Sequence, residues 1–195
     1  LEAAPEFRDR LRRVLGAVIG KENVLFDPFT LVSHSTDATD WRLHLPVAVV
    51  TPTEEGHVAP LLAAIADLGL KAVPRGAGTG LTGGAIPLTP DCVVVNTEKL
   101  DRIRGLEARP FALRDGRAVE GQVLSLEAGV ITERAMEYAS HRGLVFATDP
   151  TSAWACTIGG NIAENAGGKD CVLWGTCIDN LVSFQIAMPS GQSWT

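Results

Sequence analysis

Basic charge, aromatic rings and long apolar runs are all scarce in this chain of 195 residues, and each scarcity excludes a class of protein. Lys and Arg number 17 against 23 Asp and Glu, a formal net charge of −6. Nucleic-acid partners demand a basic stripe that neutralises phosphates, and no run of Lys and Arg exists to form one, so no nucleic-acid partner is expected. Apolar runs such as VAVV at 47–50 fall far short of the roughly 20 residues a membrane-spanning helix needs. The first segment, LEAAPEFRDRLRRVLGAVIG, lacks the basic start and apolar core of a secretory signal and reads as an amphipathic helix. Cys92, Cys156, Cys171 and Cys177 form no CxxC pair, and His34, His44, His57 and His141 are scattered away from zinc-ligand spacing. No metal site is expected, and the thiols read as small buried apolar residues in a reducing compartment: cytoplasmic, or peripheral to the inner face of a membrane.

What the chain does have is glycine. Ten of its 20 glycines fall in two stretches, 76–84 and 159–175. Around them the periodicity is that of an α+β protein. VAVVTP at 47–52 is a short strand, and EEGHVAPLLAAIADLG at 54–69 places Val58, Leu61, Leu62, Ile65 and Leu68 at helical spacing, with Thr53 as N-cap and Gly69 as stop. KAVP at 71–74 is the next strand, completing a βαβ unit that runs straight into RGAGTGLTGGA. Val24 to Trp41 reads as an irregular fitted loop, and the polar stretch 107–121 as a surface excursion or lobe boundary. VLSLEAGV at 123–130 alternates as a half-buried strand, TERAMEYASHRG is a helix closed by Gly143, and LVSFQIAMPSG at 181–191 is a strand ending in a turn. The expected division is a helix over 1–22, a first lobe over 23–106 and a second, incomplete lobe over 107–195.

A glycine-dense loop after a buried strand lets successive backbone N–H groups converge on an anion, which suits an acidic protein with no lysine cluster. Arg75, Thr79 and Thr82 add donors. A P-loop is excluded, because Gly84 and Ala85 stand where Lys and Ser or Thr are required. Gly78, Gly80 and Gly83 match the dinucleotide fingerprint, yet that motif must open a helix, and AIPLTPDC carries Pro87 and Pro90 with no helical period. A nicotinamide-dependent dehydrogenase therefore stands as a lesser alternative, beside a glycine-rich turn that binds nothing. In TIGGNIAENAGG, Ile162 and Ala166 can share a helix face, Gly159 and Gly160 can present amides at its N-terminus, and Asn161 and Asn165 can meet a heterocycle edge. Two separated glycine sites suit an extended ligand.

PRGAGTGLTGGA and DPTSAWACTIGGNIAENAGG together resemble the FAD-linked oxidases, whose flavin domain is of the p-cresol methylhydroxylase and vanillyl-alcohol oxidase type. Within them the likeness is to the glycolate oxidase flavoprotein and D-lactate dehydrogenase branch, and it runs from about Val24 to Gly191; FDPFTLVSHSTDATDW and CVLWGT are similar to large members that continue into iron–sulfur regions. The resemblance implies two α+β lobes with FAD between them. It implies that Arg75, Gly76, Ala77, Gly78, Thr79, Gly80 and Leu81 hold the pyrophosphate through backbone amides, with Pro74 and Gly84 also among the cofactor-binding residues. Asp149, Pro150, Thr151, Ser152, Thr157, Ile158, Gly159, Gly160, Asn161, Asn165, Gly167 and Gly168 would line the flavin and ribityl part, and Gly175, Thr176, Asp179 and Leu181 would approach the adenosine end. Relatives with covalent flavin place a histidine where Thr79 stands, so non-covalent FAD is implied.

The implied activity is that of an FAD-dependent oxidoreductase acting on CH–OH groups, with hydride passing from the α-carbon of a 2-hydroxy acid to flavin N5. An iron–sulfur domain or subunit is the implied electron acceptor, and a ligand-free scaffold that keeps the flavin fold is the alternative. The substrate domain, with its metal or acid–base histidines, is expected beyond Thr195, so no catalytic residue is assigned. His34 and His44 read as structural or surface groups, Asp149 as a turn cap before Pro150, and Trp154 and Trp174 as core rings rather than stacking platforms.

Overall fold

The computed structural model describes residues 5–39, 41–112 and 115–195. The first helix forms as its pattern predicts. In α1 (Pro5–Ile19), Leu11, Leu15 and Ile19 recur every fourth residue and are buried, while Arg10, Arg12 and Arg13 face outward. After β1 (Val24–Leu25) comes a helix the sequence reading missed, α2 (Pro28–Ser33). Asp27 Oδ1 accepts from Thr30 N–H at 2.9 Å and Pro28 opens the first turn, an N-cap hidden within turn-like residues.

β2 (Ala48–Val50), α3 (Val58–Asp67) and β3 (Lys71–Arg75) make the expected βαβ unit, but β4 (Cys92–Asn96) inserts between the two strands to give the order β1-β2-β4-β3. β1 runs antiparallel and the other three are mutually parallel. α3 begins at Val58 after a 3-10 turn at Glu55–His57, so Thr53 is not its cap, and Gly69, at φ +73°, ends it as expected. Alternate residues of the strands face two cores. Ala48, Val50, Val93 and Val95 pack with Leu11, Leu15, Leu61 and Ile65, whereas Val49 and Val94 pack with Leu31 of α2.

The polar stretch 107–121, expected as a surface excursion or lobe boundary, is mostly exposed and carries strand over 107–112 and 118–121. β5 (Ile103–Ala112) and β6 (Ala118–Leu126) form one long antiparallel hairpin. At its base, Ile103, Leu124 and Leu126 pack on Val130, Ala135 of α4 (Thr132–Ser140) and Ile158 of α5 (Ile158–Ala163). The wholly buried Glu127 carboxylate joins hairpin and sheet. It accepts from Arg102 N–H and from the side chains of Arg102 and Arg104, which also pair with Glu54 and Glu55 before α3. Burial alone would raise its pKa, yet the Arg102 amide and the two guanidinium groups outweigh it and hold the carboxyl below its ordinary value.

The remainder is short: α6 (Cys171–Trp174), then β7 (Ile186–Ala187) paired with β8 (Ser193–Trp194). The strand expected over 181–191 thus shrinks to two residues, and α5 stops before Ala166, which cannot share its face with Ile162. Trp154 and Trp174 are exposed rather than core, and Cys171 is only partly buried. Among the described residues no helix is long and apolar enough to cross a membrane, and no cluster suited to a metal ion forms.

Candidate cofactor-binding cleft

A cleft of about 330 Å3 opens beyond the carboxyl ends of β3 and β4, between the first glycine loop and the start of α5. In parallel sheets this is where the chain turns away from the strands and leaves backbone free to meet a ligand. Arg75, the last residue of β3, lies beside Asn96 of β4, and the loop springs from it. Its guanidinium is partly buried and donates to Thr36 O at 2.7 Å; burial depresses its pKa, opposed by the charges of Asp37 and Glu98. Ala38 N–H donates to Gly78 O at 3.1 Å, so residues 36–38 strap the loop from outside. Asp37 itself lines the cleft. Its Oδ1 takes the N–H and hydroxyl of Thr39, and its Oδ2 is buried without a partner.

The loop's chemistry lies in its amides. Among the described residues, no N–H from Gly76 to Ala85 donates to a protein acceptor; the next amide, Ile86 N–H, donates back to Gly83 O at 3.4 Å. Gly78 and Gly83 take φ of +69° and +78°, the left-handed conformation that folds such a run back on itself. No helix follows between 76 and 91, so the geometry a nicotinamide fingerprint requires is not formed. A Cβ on Gly76 would overlap Thr157 Oγ1, which shows how closely the two walls approach.

On the opposite wall, Pro150, Ser152, Cys156, Thr157, Gly159, Gly160, Asn161 and Ala163 line the cleft, together with Glu164 and Ala166. Thr157 Oγ1 is buried and unpartnered. Thr82 Oγ1 donates to Glu164 Oε2 at 3.0 Å and ties the two walls together. One expectation for this wall changes, and the amide beside it is engaged as well. Gly159 does not offer its amide, which donates to Ala128 O at 2.8 Å; nor does Ile158, whose amide goes to Val130 O. Gly159 is small because a Cβ there would stand 2.9 Å from that of Ala128.

Of the residues expected to bind cofactor, Pro74 to Gly80 and Gly84 line this one cleft, as do Pro150, Ser152, Thr157, Gly159, Gly160 and Asn161. Leu81 is exposed outside it, and Asp149, Thr151, Ile158, Asn165, Gly167, Gly168, Gly175, Thr176, Asp179 and Leu181 do not line it. Several of these have structural tasks instead. Gly168 packs on the Asp149–Pro150 backbone, Asn165 at φ +49° accepts from Ile178 N–H, and Thr176 and Asp179 form a capping box over a 3-10 turn. Asp37, Thr97, Ala128 and Glu164 line the cleft and were not singled out from sequence. His34 is structural, bonded to Thr30 O and to Asn96.

The free amides, the neighbouring Arg75 and the buried orphan hydroxyl fit an extended phosphorylated ligand, and comparison with known proteins points the same way. The model of the FAD binding domain matches residues 46–195. Glycolate oxidase subunit GlcD of Escherichia coli (strain K12) is 35% identical over 150 residues, 77% of this chain and 28% of that protein. D-lactate dehydrogenase of Anaerostipes hadrus is 29% identical over 147 residues, 75% of this chain and 28% of that one. The solved structure of p-cresol methylhydroxylase with substrate bound matches at a TM-score of 0.73 and 15% identity, over 98% of this chain and 36% of its own, a likeness of fold. The chain spans about 28% of the length of these two curated relatives. With its mixed helices and sheets arranged as in the p-cresol methylhydroxylase flavin domain, and more than half its length matched, the chain belongs to the FAD binding domain family.

Proposed function

We propose that the cleft holds FAD without a covalent bond and that the protein carrying this chain oxidises a 2-hydroxy acid of the glycolate or D-lactate type. The observation that carries the reading is the run of unused amides over 76–85 beside Arg75. Backbone N–H groups and one guanidinium suit a pyrophosphate in a protein of net charge −6. Gly76 to Gly80 donate to the phosphates, Arg75 balances their charge, and the strap at Thr36 and Ala38 keeps the loop from collapsing into the cleft. Pro150, Ser152, Thr157, Gly160 and Asn161 face the ring and ribityl portion.

FAD supplies a hydride acceptor at ring N5, and the share of these residues is to hold, orient and shield it from water. Thr79 lacks the imidazole nitrogen through which relatives with covalent flavin are implied to bind it. Cys156, at 5% exposure, has its sulfur 3.2 Å from the Thr132 hydroxyl, which keeps the thiol occupied. The base that takes the substrate hydroxyl proton, and an iron–sulfur electron acceptor, are assigned to protein outside this chain.

Titration of the full-length protein with FAD, followed by flavin absorbance and fluorescence, tests the first step. Saturable binding with all flavin released by acid denaturation is expected, and its absence overturns the reading. Anaerobic mixing of the loaded protein with glycolate or D-lactate should bleach the oxidised flavin band. A loaded protein that neither acid bleaches would keep the cofactor but lose the substrate class.

A further inference from the structure

The imidazole of His34 is fixed in one protonation state by bonds whose direction the backbone dictates. Glu98 N–H can only donate, and it donates to Asn96 Oδ1 at 2.8 Å. The Asn96 side chain, in a residue 3% exposed, must therefore present its NH2 to His34 Nε2, 2.9 Å away. Nε2 is then the acceptor, so the ring proton sits on Nδ1, where Thr30 O takes it at 2.8 Å and Ser33 Oγ lies at 3.1 Å. These donors and acceptors match only while the imidazole is neutral. A second proton would place an N–H on Nε2 against the Asn96 NH2, two donors face to face. Turning the amide over would only move the conflict to Glu98 N–H.

The bond joins two supports of the cleft. His34 closes α2, and two residues later Thr36 O accepts from the Arg75 guanidinium, with Ala38 N–H on Gly78 O. Asn96 ends β4 beside Arg75, and the next residue, Thr97, lines the cleft and gives its N–H and its hydroxyl to Arg75 O at 2.9 and 3.3 Å. Resting on the FAD reading above, we propose that His34 is a positioning residue for the phosphate loop, a latch that holds the strap to β4 while neutral and loosens FAD when it takes a proton. His34 does not line the cleft and acts through Asn96 and Thr36. Histidine ordinarily changes charge between roughly pH 5 and 8, so the latch works in that range. Asp27, at the start of α2, senses the imidazole charge, and Arg75, flanked by Asp37 and Glu98, stands beyond Asn96. The carboxylates favour proton uptake and Arg75 opposes it, while the mismatch at Asn96 couples that uptake to the strap.

The test measures FAD dissociation constants by flavin fluorescence between about pH 8 and about pH 5.5 in the full-length protein and its His34→Gln and Asn96→Asp variants. The parent should weaken roughly tenfold toward acid. His34→Gln keeps an acceptor for the Asn96 NH2 but does not titrate, so its affinity should change less than about twofold over the same range. Asn96→Asp supplies a carboxylate that accepts both from a charged imidazole and from Glu98 N–H, so it should hold FAD as well in acid as at neutral pH. A flat profile in the parent, or a His34→Gln profile as steep as the parent's, would overturn the latch. An Asn96→Asp protein as acid-sensitive as the parent would overturn its passage through Asn96. Should Asn96→Asp fail to fold, nitrogen-15 spectra of the histidine-labelled parent decide, the His34 signals being those that His34→Gln removes. At about pH 8 the proton is expected on Nδ1, and a proton on Nε2 would overturn the latch. A parent that binds no FAD at any pH would overturn the cofactor reading itself, a separate and visible failure.

Discussion

The two glycine-rich segments look alike in composition and differ in cause. Over 76–85 Gly76 and Gly78 make room for Thr157 and the Arg75 guanidinium, but the amides have no protein acceptor among the described residues, and a Cβ on Gly80 would meet nothing within 4 Å. Over 159–175 the glycines let protein pack on protein. Gly159 sits against Ala128, Gly168 against the Asp149 carbonyl, and Gly175 against the Asp179 carboxylate. One segment is open toward a ligand and the other is the frame that holds its opposite wall. The contrast says that a glycine's neighbour, not its presence, marks a binding loop.

The frame should break hardest at Gly168. At φ +152°, with a Cβ placed on Asp149 O and 2.9 Å from Pro150 N, alanine there forces backbone to move. Gly168→Ala should cost more than about 3 kcal/mol and leave little soluble protein, measured by expression yield and thermal melting. Gly159→Ala meets Ala128 at 2.9 and 3.1 Å, a milder overlap expected to cost about 1–3 kcal/mol. An unchanged melting temperature for both would dissolve the distinction between frame and loop.

Glu127 tests the junction that sets the frame on the sheet. Because Arg102 and Arg104 are about half exposed and regain water when the carboxylate is lost, Glu127→Gln should cost about 1–3 kcal/mol rather than the full penalty of a buried unpaired charge. The carboxyl's pKa is lower in the folded protein than its ordinary value near 4.3, so its stabilisation is complete above that value and lost as pH falls through the folded pKa. Chemical denaturation from pH 7 to pH 3 should therefore show a steeper acid loss in the parent than in Glu127→Gln.

How far the sequence foretold this depends on which signals were local. The βαβ unit, the stop at Gly69 and the helix before Gly143 were legible because periodicity and a left-handed glycine are properties of consecutive residues. The β5–β6 hairpin was not. Most of its distal residues, such as Glu107, Arg109 and Glu120, are exposed, so no face carries an apolar alternation to read. The insertion of β4 between β2 and β3 depends on pairing across 20 residues or more, which no short window contains. In the cleft, the first loop was legible from its glycines alone. Asp37 and Glu164 were not, because each joins the cleft through a contact with a distant segment: Ala38 beside Gly78, and Thr82 on Glu164.

Gly80→Ala sharpens the comparison from the loop's side. With open space around its Cβ, stability should stay within about 0.5 kcal/mol of the parent, while the methyl intrudes where a phosphate must approach backbone and FAD affinity falls about tenfold. Loss of stability with affinity kept would make the loop a packing element like its counterpart.

The smallest expected effect concerns the side-chain bond between the segments. Thr82 and Glu164 are both exposed, so their 3.0 Å hydrogen bond competes with water, and Thr82→Val should change stability by only about 0.5 kcal/mol. Its consequence for binding differs in kind. If the bond holds the far end of the amide run over the cleft, removing it returns freedom to the loop that FAD must then take away, and the dissociation constant should rise about threefold with the melting temperature nearly constant. Glu164→Gln keeps an acceptor for the threonine hydroxyl and removes a negative charge from the cleft, so it should bind FAD at least as well as the parent. Equal weakening by both variants would locate the effect in the carboxylate's charge and not in the tether, and the two segments would then meet only through backbone.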